Sequence, residues 1–436
     1  MSEGDRTVPD QESGSASPAD AVKSRTTAWS EMVEARSKAI RLPNSSVATA
    51  TGYFVRVFVN WSDLEPFIEH WENLAAHALE PNPSYEWWML IPALQHQLPG
   101  SDVRVALLFA ADASPLDKGA LCGIVPFEVR TRHGGLPARV IRFWNHIYAV
   151  SATPLLRRDC AHACLRAFFE WIYLTQPAHT LIHLSDVRSN GEFLPVLTAT
   201  VNEGRLGHLF EDIWQRAMFR PKRDADEYVQ SISTSHHRHE WRRQERRLAE
   251  HGLLTYDSLE PTQDAGPWLD EFVRLEMSGW KGREGTAFGC DERHLKWLTE
   301  VVTQAHNRRR LMILALRLDG KAIAMRINLV SPPGSYAFKI AFDEKFLKFS
   351  PGVLLELQNI RCLHGIPAIE WMDSVAVSNH PLMNRVWIDR VAVVSVLVAP
   401  GRFLGRLMVA LLPLLRAIRR LGKRSKSKQT PSAADQ

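Results

Sequence analysis

The chain has 436 residues, 45% hydrophobic and 23% charged, which excludes a disordered, fibrous or collagen-like protein and leaves room for two domains. Its net charge of +5 is local: nine Lys/Arg and no acid fall within residues 402–428, and setting those nine aside from 53 leaves 44 basic residues against 48 acidic ones. The body is therefore mildly acidic, which argues against a nucleic-acid-binding fold, and no DNA partner is expected.

The N-terminal stretch is polar and acidic without an apolar core, so no secretory signal is expected. No run approaches the roughly 18 apolar residues of a membrane span. A cytoplasmic protein is expected, with the option of a peripheral position at the inner membrane surface. The five cysteines, at 122, 160, 164, 290 and 362, suit a reduced compartment. Cys160 and Cys164 stand one helical turn apart without a second pair to complete a zinc site, and no metal is expected.

Residues 1–50 are Ser-, Ala- and charge-rich and read as disordered, with a transient helix around Trp29–Ile40. Residues 51–215 read as a first α/β unit. Strand 52–60 is followed by amphipathic helices 64–78 and 84–98, then strands 103–111, 120–129 and 139–144. Helix 159–174, strand 180–184 and helix 192–203 complete it. Residues 216–260 read as a junction built on the charged helix 235–251, with five arginines and only Trp241 and Leu248 as apolar anchors. That helix reads as solvated, its arginines balanced by Glu240, Glu245 and Glu250, and His236, His237 and His239 point in different directions and make a poor metal set.

A second unit, 261–400, repeats the plan: helices 266–280 and 291–307, strands 311–318 and 322–330 joined by the Asp319-Gly320 turn, and strand 336–342. Helix 351–364, strand 368–375, helix 380–388 and strand 391–398 follow. Ser350-Pro351-Gly352 opens the 351–364 helix with an N-cap type, a proline in the first turn and a glycine that lets a ligand approach the free amides. The tail, 401–436, holds an apolar and basic helix, 403–421, that fits a position on an anionic membrane surface or packed on the C-terminal domain.

Glu276-Met-Ser-Gly-Trp280-Lys281, Leu318–Ala324, Tyr336–Asp343, Phe349–Gly352 and Asp373 follow one another in an order that resembles the GNAT acyltransferases of the CelD/BcsL-like branch, which share a double-GNAT plan with Fem-type transferases. The resemblance covers about residues 52–400 and implies an α/β (α+β) fold of two tandem GNAT-like domains, each a mixed, mostly antiparallel sheet flanked by helices. It implies an N- or O-acyltransferase that uses acetyl-CoA or another acyl-CoA as co-substrate, with an amine or hydroxyl acceptor in exopolysaccharide or cell-envelope synthesis. The usual phosphate loop is replaced by Lys345–Gly352. An aminoacyl-tRNA donor, as in Fem-type relatives, and an inactive scaffold at the membrane therefore stay open.

Acyl transfer needs a held donor, a base for the acceptor and a proton for the leaving thiolate. The expected donor-binding set is Lys339, Lys348, Ser350, Pro351, Gly352, Val353 and Leu354, with the strand backbone of Tyr336–Ala341 lying along the pantetheine. Asp343 and Asp373, at strand ends, are the expected bases and Tyr336 the expected acid. Glu276, Trp280, Lys281 and His380 are expected to line the acceptor side. The first unit shows no counterpart to Ser350-Pro351-Gly352, so one site is expected, in the second unit or between the two.

Overall fold

The computed structural model describes residues 41–42, 46–98, 102–111, 120–134, 136–177, 180–222, 224–401, 403 and 405–415. The Trp29–Ile40 helix, most of the segment expected to be disordered and the basic run beyond residue 415 lie outside the described residues.

Strands β1 (Arg41–Leu42) and β2 (Ser46–Ala48) already belong to the sheet, so order begins ahead of Gly52. β3 (Tyr53–Phe58), β4 (Val103–Ala110), β5 (Leu121–His133) and β6 (Leu136–Phe143) form an antiparallel run, with β7 (Leu155–Leu156) on the side of β5. β8 (Leu181–Arg188) then joins β6 in parallel. The second half mirrors this. β10 (Leu254–Ser258), β11 (Leu311–Leu318), β12 (Lys321–Ser331) and β13 (Gly334–Phe342) run antiparallel, and β14 (Trp371–Asp373) joins β13 in parallel.

Two further strands are exchanged between the halves. β9 (Gly207–Phe219) follows the last helix of the first half yet pairs with β14 of the second. β15 (Asp389–Ala399), which closes the second half in sequence, lies between β8 and β9. The result is one continuous fifteen-stranded sheet rather than two separate ones. β9 runs from the end of the expected first unit, where no strand was expected, into the expected junction: its stretch, GHLFEDIWQRAMF, buries the charged Glu211 and Arg216 and exposes Phe210 and Ile213, so the period-2 signal is blurred.

Turn chemistry follows the sequence closely. Asp319 and Gly320 take φ of 48° and 78°, the left-handed pair that a two-residue hairpin requires. At Gly334 a Cβ would stand 2.1 Å from the Trp371 ring, so glycine is needed for the parallel start of β13 against β14.

The halves share a core in which Trp88 and Tyr148 of the first meet Phe288, Trp297 and Tyr336 of the second. Tyr148 stacks on Trp297 with centroids 4.9 Å apart. Burying each such ring contributes roughly 1.5–3 kcal/mol, which fixes the two halves against each other. The 405–415 helix packs across both halves: Val409 and Leu412 meet Ala138, Val140 and Leu181 of the first and Leu397 of β15. Its outer side leaves Leu407, Leu411, Leu414 and Leu415 exposed. Among the described residues no helix is long and apolar enough to cross a membrane.

Candidate active site

β13 and β14 pair over only three residues each, Gly334–Tyr336 with Trp371–Asp373, and then part. Between them opens a cleft of about 670 Å³. Its floor is the backbone of β13 from Ala337 to Phe342, its far wall Ser374–Ala376 and His380, and its end the start of the Pro351–His364 helix. A ladder edge released from pairing offers its N–H and C=O groups to an extended ligand.

Local strain shapes both walls. β13 carries a bulge: Ile327 faces Lys339 and Leu329 faces Tyr336, so Ala337 and Phe338 stand against Asn328 alone. Such an extra residue bends the strand and re-aims the next side chain, here Lys339. Ser350 and Val375, on opposite sides of the cleft, both take left-handed backbone, with φ of 52° and 51°. For a β-branched residue that conformation costs of order 1–3 kcal/mol and persists only where the surroundings enforce it.

The enforcing group at Val375 is Asp373. Its Oδ1 accepts the Val375 amide at 2.9 Å, and its Oδ2 accepts Arg216 at 2.6 Å. Both side chains are buried, so Asp373 is not a base facing the cleft but the anchor that sets the cleft wall and ties β14 to β9. Asp343 is likewise spent: it caps the 344–349 turn, accepting the Lys345 amide at 3.0 Å, and does not line the cleft. The Tyr336 hydroxyl donates to the Pro81 carbonyl at 3.1 Å inside the shared core, and burial pushes it up to about 12. It is therefore no proton source for a leaving thiolate. Asp343→Ala is expected to cost about 1 kcal/mol through loss of the cap, and Tyr336→Phe about 1 kcal/mol through loss of the hydrogen bond. Neither should change kcat more than about twofold, since neither touches the cleft; thermal melts and turnover assays check both.

At the helix start, Val353 and Leu354 donate their amides to the Ser350 carbonyl at 2.9 and 3.2 Å, so they are not free for a ligand as expected. The Gly352 amide has no protein partner among the described residues, and the Ser350 side chain makes no capping bond. A Cβ at Gly352 would meet Ile340, Phe342 and Leu382 only at 3.8–3.9 Å, so the glycine keeps space open at the cleft end. Pro351 supplies the fixed first turn. Lys348 is exposed, with its ammonium 4.8 Å above the Phe349 ring, and does not reach the cleft.

Glu276 is buried, accepting Lys281 at 2.8 Å and the Phe288 amide at 2.9 Å, which makes it a support rather than an acceptor contact. Lys281 also donates to the Ile340 carbonyl at 3.2 Å and lines the cleft with Trp280, whose ring is half exposed. His380 lines the cleft and accepts the Met383 amide at Nδ1, 3.3 Å away, which in the neutral ring leaves the proton on Nε2. Burial, with the Arg326 charge adding to it, holds its pKa below the ordinary imidazole value, which favours the neutral ring. Arg326, a residue that the sequence did not single out, reaches the cleft floor while bonded to the buried Glu356 and, at 2.8 Å, to Asn328.

Lys339 is a perturbed cation at the site. Tyr148, Phe288 and Phe338 wall its ammonium at 4.6, 5.2 and 5.3 Å. Burial, reinforced by the Lys281 charge and opposed in part by Glu276, pushes it down to about 8. Tyr148 comes from the first half of the chain, 191 positions away, and no local signal in the sequence links it to Lys339.

Residues 235–374 match the family described as acetyltransferase (GNAT) domain. The matched stretch contains the motif order that resembles the GNAT acyltransferases, and the two halves of the sheet each show an antiparallel run closed by a parallel strand. No protein with a curated description matches the chain. Among solved structures, a conserved protein of unknown function from Bacteroides thetaiotaomicron is 11% identical, with a TM-score of 0.47 over 76% of this chain and 96% of that one. The C-terminal domain of a lysylphosphatidylglycerol synthetase from Agrobacterium fabrum is also 11% identical, with a TM-score of 0.46 over 81% and 96%. FemX is 10% identical, with a TM-score of 0.45 over 77% and 96%.

Proposed function

We propose that this protein transfers an acyl group from an acyl-CoA to an amine or hydroxyl acceptor in the cleft between β13 and β14. The observation that carries the reading is the parting of these strands beside a helix start that keeps one amide and one hydroxyl free. The β13 edge suits the extended pantetheine arm, and Gly352 N–H with Ser350 Oγ suits a phosphate oxygen, with the positive end of the helix behind them. When bound, the thioester supplies an activated carbonyl. Lys339, neutral above pH 8, takes the proton of the attacking amine or hydroxyl as the new bond to the acyl carbon forms; the carbon–sulfur bond then breaks, and the coenzyme A thiolate leaves with the proton that the Lys339 ammonium gives up. His380 presents its Nε2–H as a hydrogen-bond donor toward negative charge developing in the cleft.

Titration calorimetry with acetyl-CoA tests this. Saturable binding at one equivalent is expected for the native chain, with loss in Gly352→Trp, whose indole fills the cleft end while the fold, followed by circular dichroism, is retained. A native chain that ignores acyl-CoA but binds charged tRNA would establish the aminoacyl-transferring alternative. Arg238, Arg242 and Arg361, which line a second, polar cavity of about 380 Å³, favour that alternative. The cavity adjoins the cleft through Arg385, which stands 5.8 Å from the Trp241 ring.

The exposed leucines of the 405–415 helix, next to the basic run 416–428, support a peripheral position on an anionic membrane and an envelope-related acceptor. Leu411→Asp with Leu414→Asp should abolish co-sedimentation with anionic vesicles while leaving acyl-CoA binding intact. Unchanged sedimentation would remove the membrane from the account.

A further inference from the structure

His133, His183 and Glu211 come from three strands, and no spacing in the sequence connects them. In the fold their ligating atoms all lie within 4.8 Å of one another. His133 Nε2 stands 3.0 Å from Glu211 Oε2, and the two imidazole rings are 4.9 Å apart, tilted by 59°. The Glu211 side chain is only 1% exposed, whereas both histidines are half-buried, so the group sits at the surface with its carboxylate inside.

We propose that His133, His183 and Glu211 form a binding site for a divalent first-row cation of the zinc class. The donor set is two neutral imidazoles and one carboxylate, which suits zinc and related borderline ions and leaves a fourth position to water. Tetrahedral ligands at roughly 2.0–2.2 Å from zinc stand about 3.3–3.5 Å from one another, so modest side-chain rotation closes the set around an ion.

The location gives the ion a purpose. His183 lies opposite Leu397 of β15, and Glu211 lies opposite Ser395 of the same strand. The two residues thus stand on the two neighbours of the exchanged strand, and His133 adds the end of β5. An ion at this point ties β5, β8 and β9 together around β15, and so holds the strand exchange that joins the two halves. The cleft between β13 and β14 contains none of these residues.

Cys122, Cys160 and Cys164 form a second compact group in the same half, so the test must tell nitrogen and oxygen ligands from sulfur. The full chain, stripped with chelator, is titrated with Co²⁺ and followed by absorption. Uptake of one equivalent with visible ligand-field bands and no intense thiolate charge-transfer band is expected. Affinity should fall by roughly a hundredfold or more in His183→Asn and in Glu211→Gln, and remain in Cys160→Ser. Zn²⁺ should raise the melting temperature of the native chain and leave that of His183→Asn unchanged. No uptake, uptake equal in all variants, or a charge-transfer band that vanishes in Cys160→Ser would overturn the assignment. Circular dichroism confirms that each variant is folded, and the isosteric Glu211→Gln keeps the test open if His183→Asn does not fold.

Discussion

Replacing Lys339 with methionine should lower turnover by about 10²–10⁴-fold, the usual contribution of a positioned proton acceptor. Methionine keeps the length and the apolar stem among Tyr148, Phe288 and Phe338 and removes only the amine. Lys339→Arg should lose as much, because a guanidinium does not deprotonate in the working range. The pH profile carries the sign. With its pKa lowered to about 8, Lys339 is protonated and inert as a base below that value, and neutral above it. The rate of the native enzyme should therefore rise with pH through about 8, and the residual rate of either variant should lack that rise. Equal profiles for native and variant would assign the proton transfer elsewhere, while melting curves separate this outcome from unfolding.

Asp373→Ala acts on a different quantity. Removing the carboxylate leaves the buried Arg216 guanidinium without its 2.6 Å partner and releases the Val375 amide. Breaking one side of a buried ion pair typically costs about 3–5 kcal/mol, because an uncompensated charge remains inside. The expected result is a large fall in stability, measured by denaturant unfolding. Asp373→Asn should lose less, since an amide oxygen still accepts one hydrogen bond. A variant as stable as the native chain but inactive would restore Asp373 as the base.

The contrast between these two residues shows where the sequence was legible. Element types followed from period and punctuation: β11 (Leu311–Leu318), the Asp319-Gly320 turn and the Pro351–His364 helix lie where the pattern puts them. The Ser350-Pro351-Gly352 helix start does border the cleft, as local capping chemistry suggests. Carboxylate roles were not legible in the same way. Asp373 reads as a strand-end acid, but its partner Arg216 lies 157 positions away on a strand that the residue pattern hides. Asp343 reads as an acid facing the site, and its cap to Lys345 depends on a backbone turn visible only in three dimensions. Lys339 reads in the sequence as a donor contact; the proton-transfer role proposed for it rests on Tyr148 and Phe288, which a linear reading cannot bring to it. The strand exchange was hidden for the same reason, since β15 (Asp389–Ala399) looks alike whichever neighbours it pairs with.

Amide hydrogen exchange with and without acetyl-CoA tests the central claim most directly. The account predicts slowed exchange confined to Ala337–Phe342, Gly352 and Ser374–Ala376, the strand edge, helix start and far wall of the cleft. Protection concentrated instead around Arg238, Arg242 and Arg361, or no protection at saturating acetyl-CoA, would contradict it.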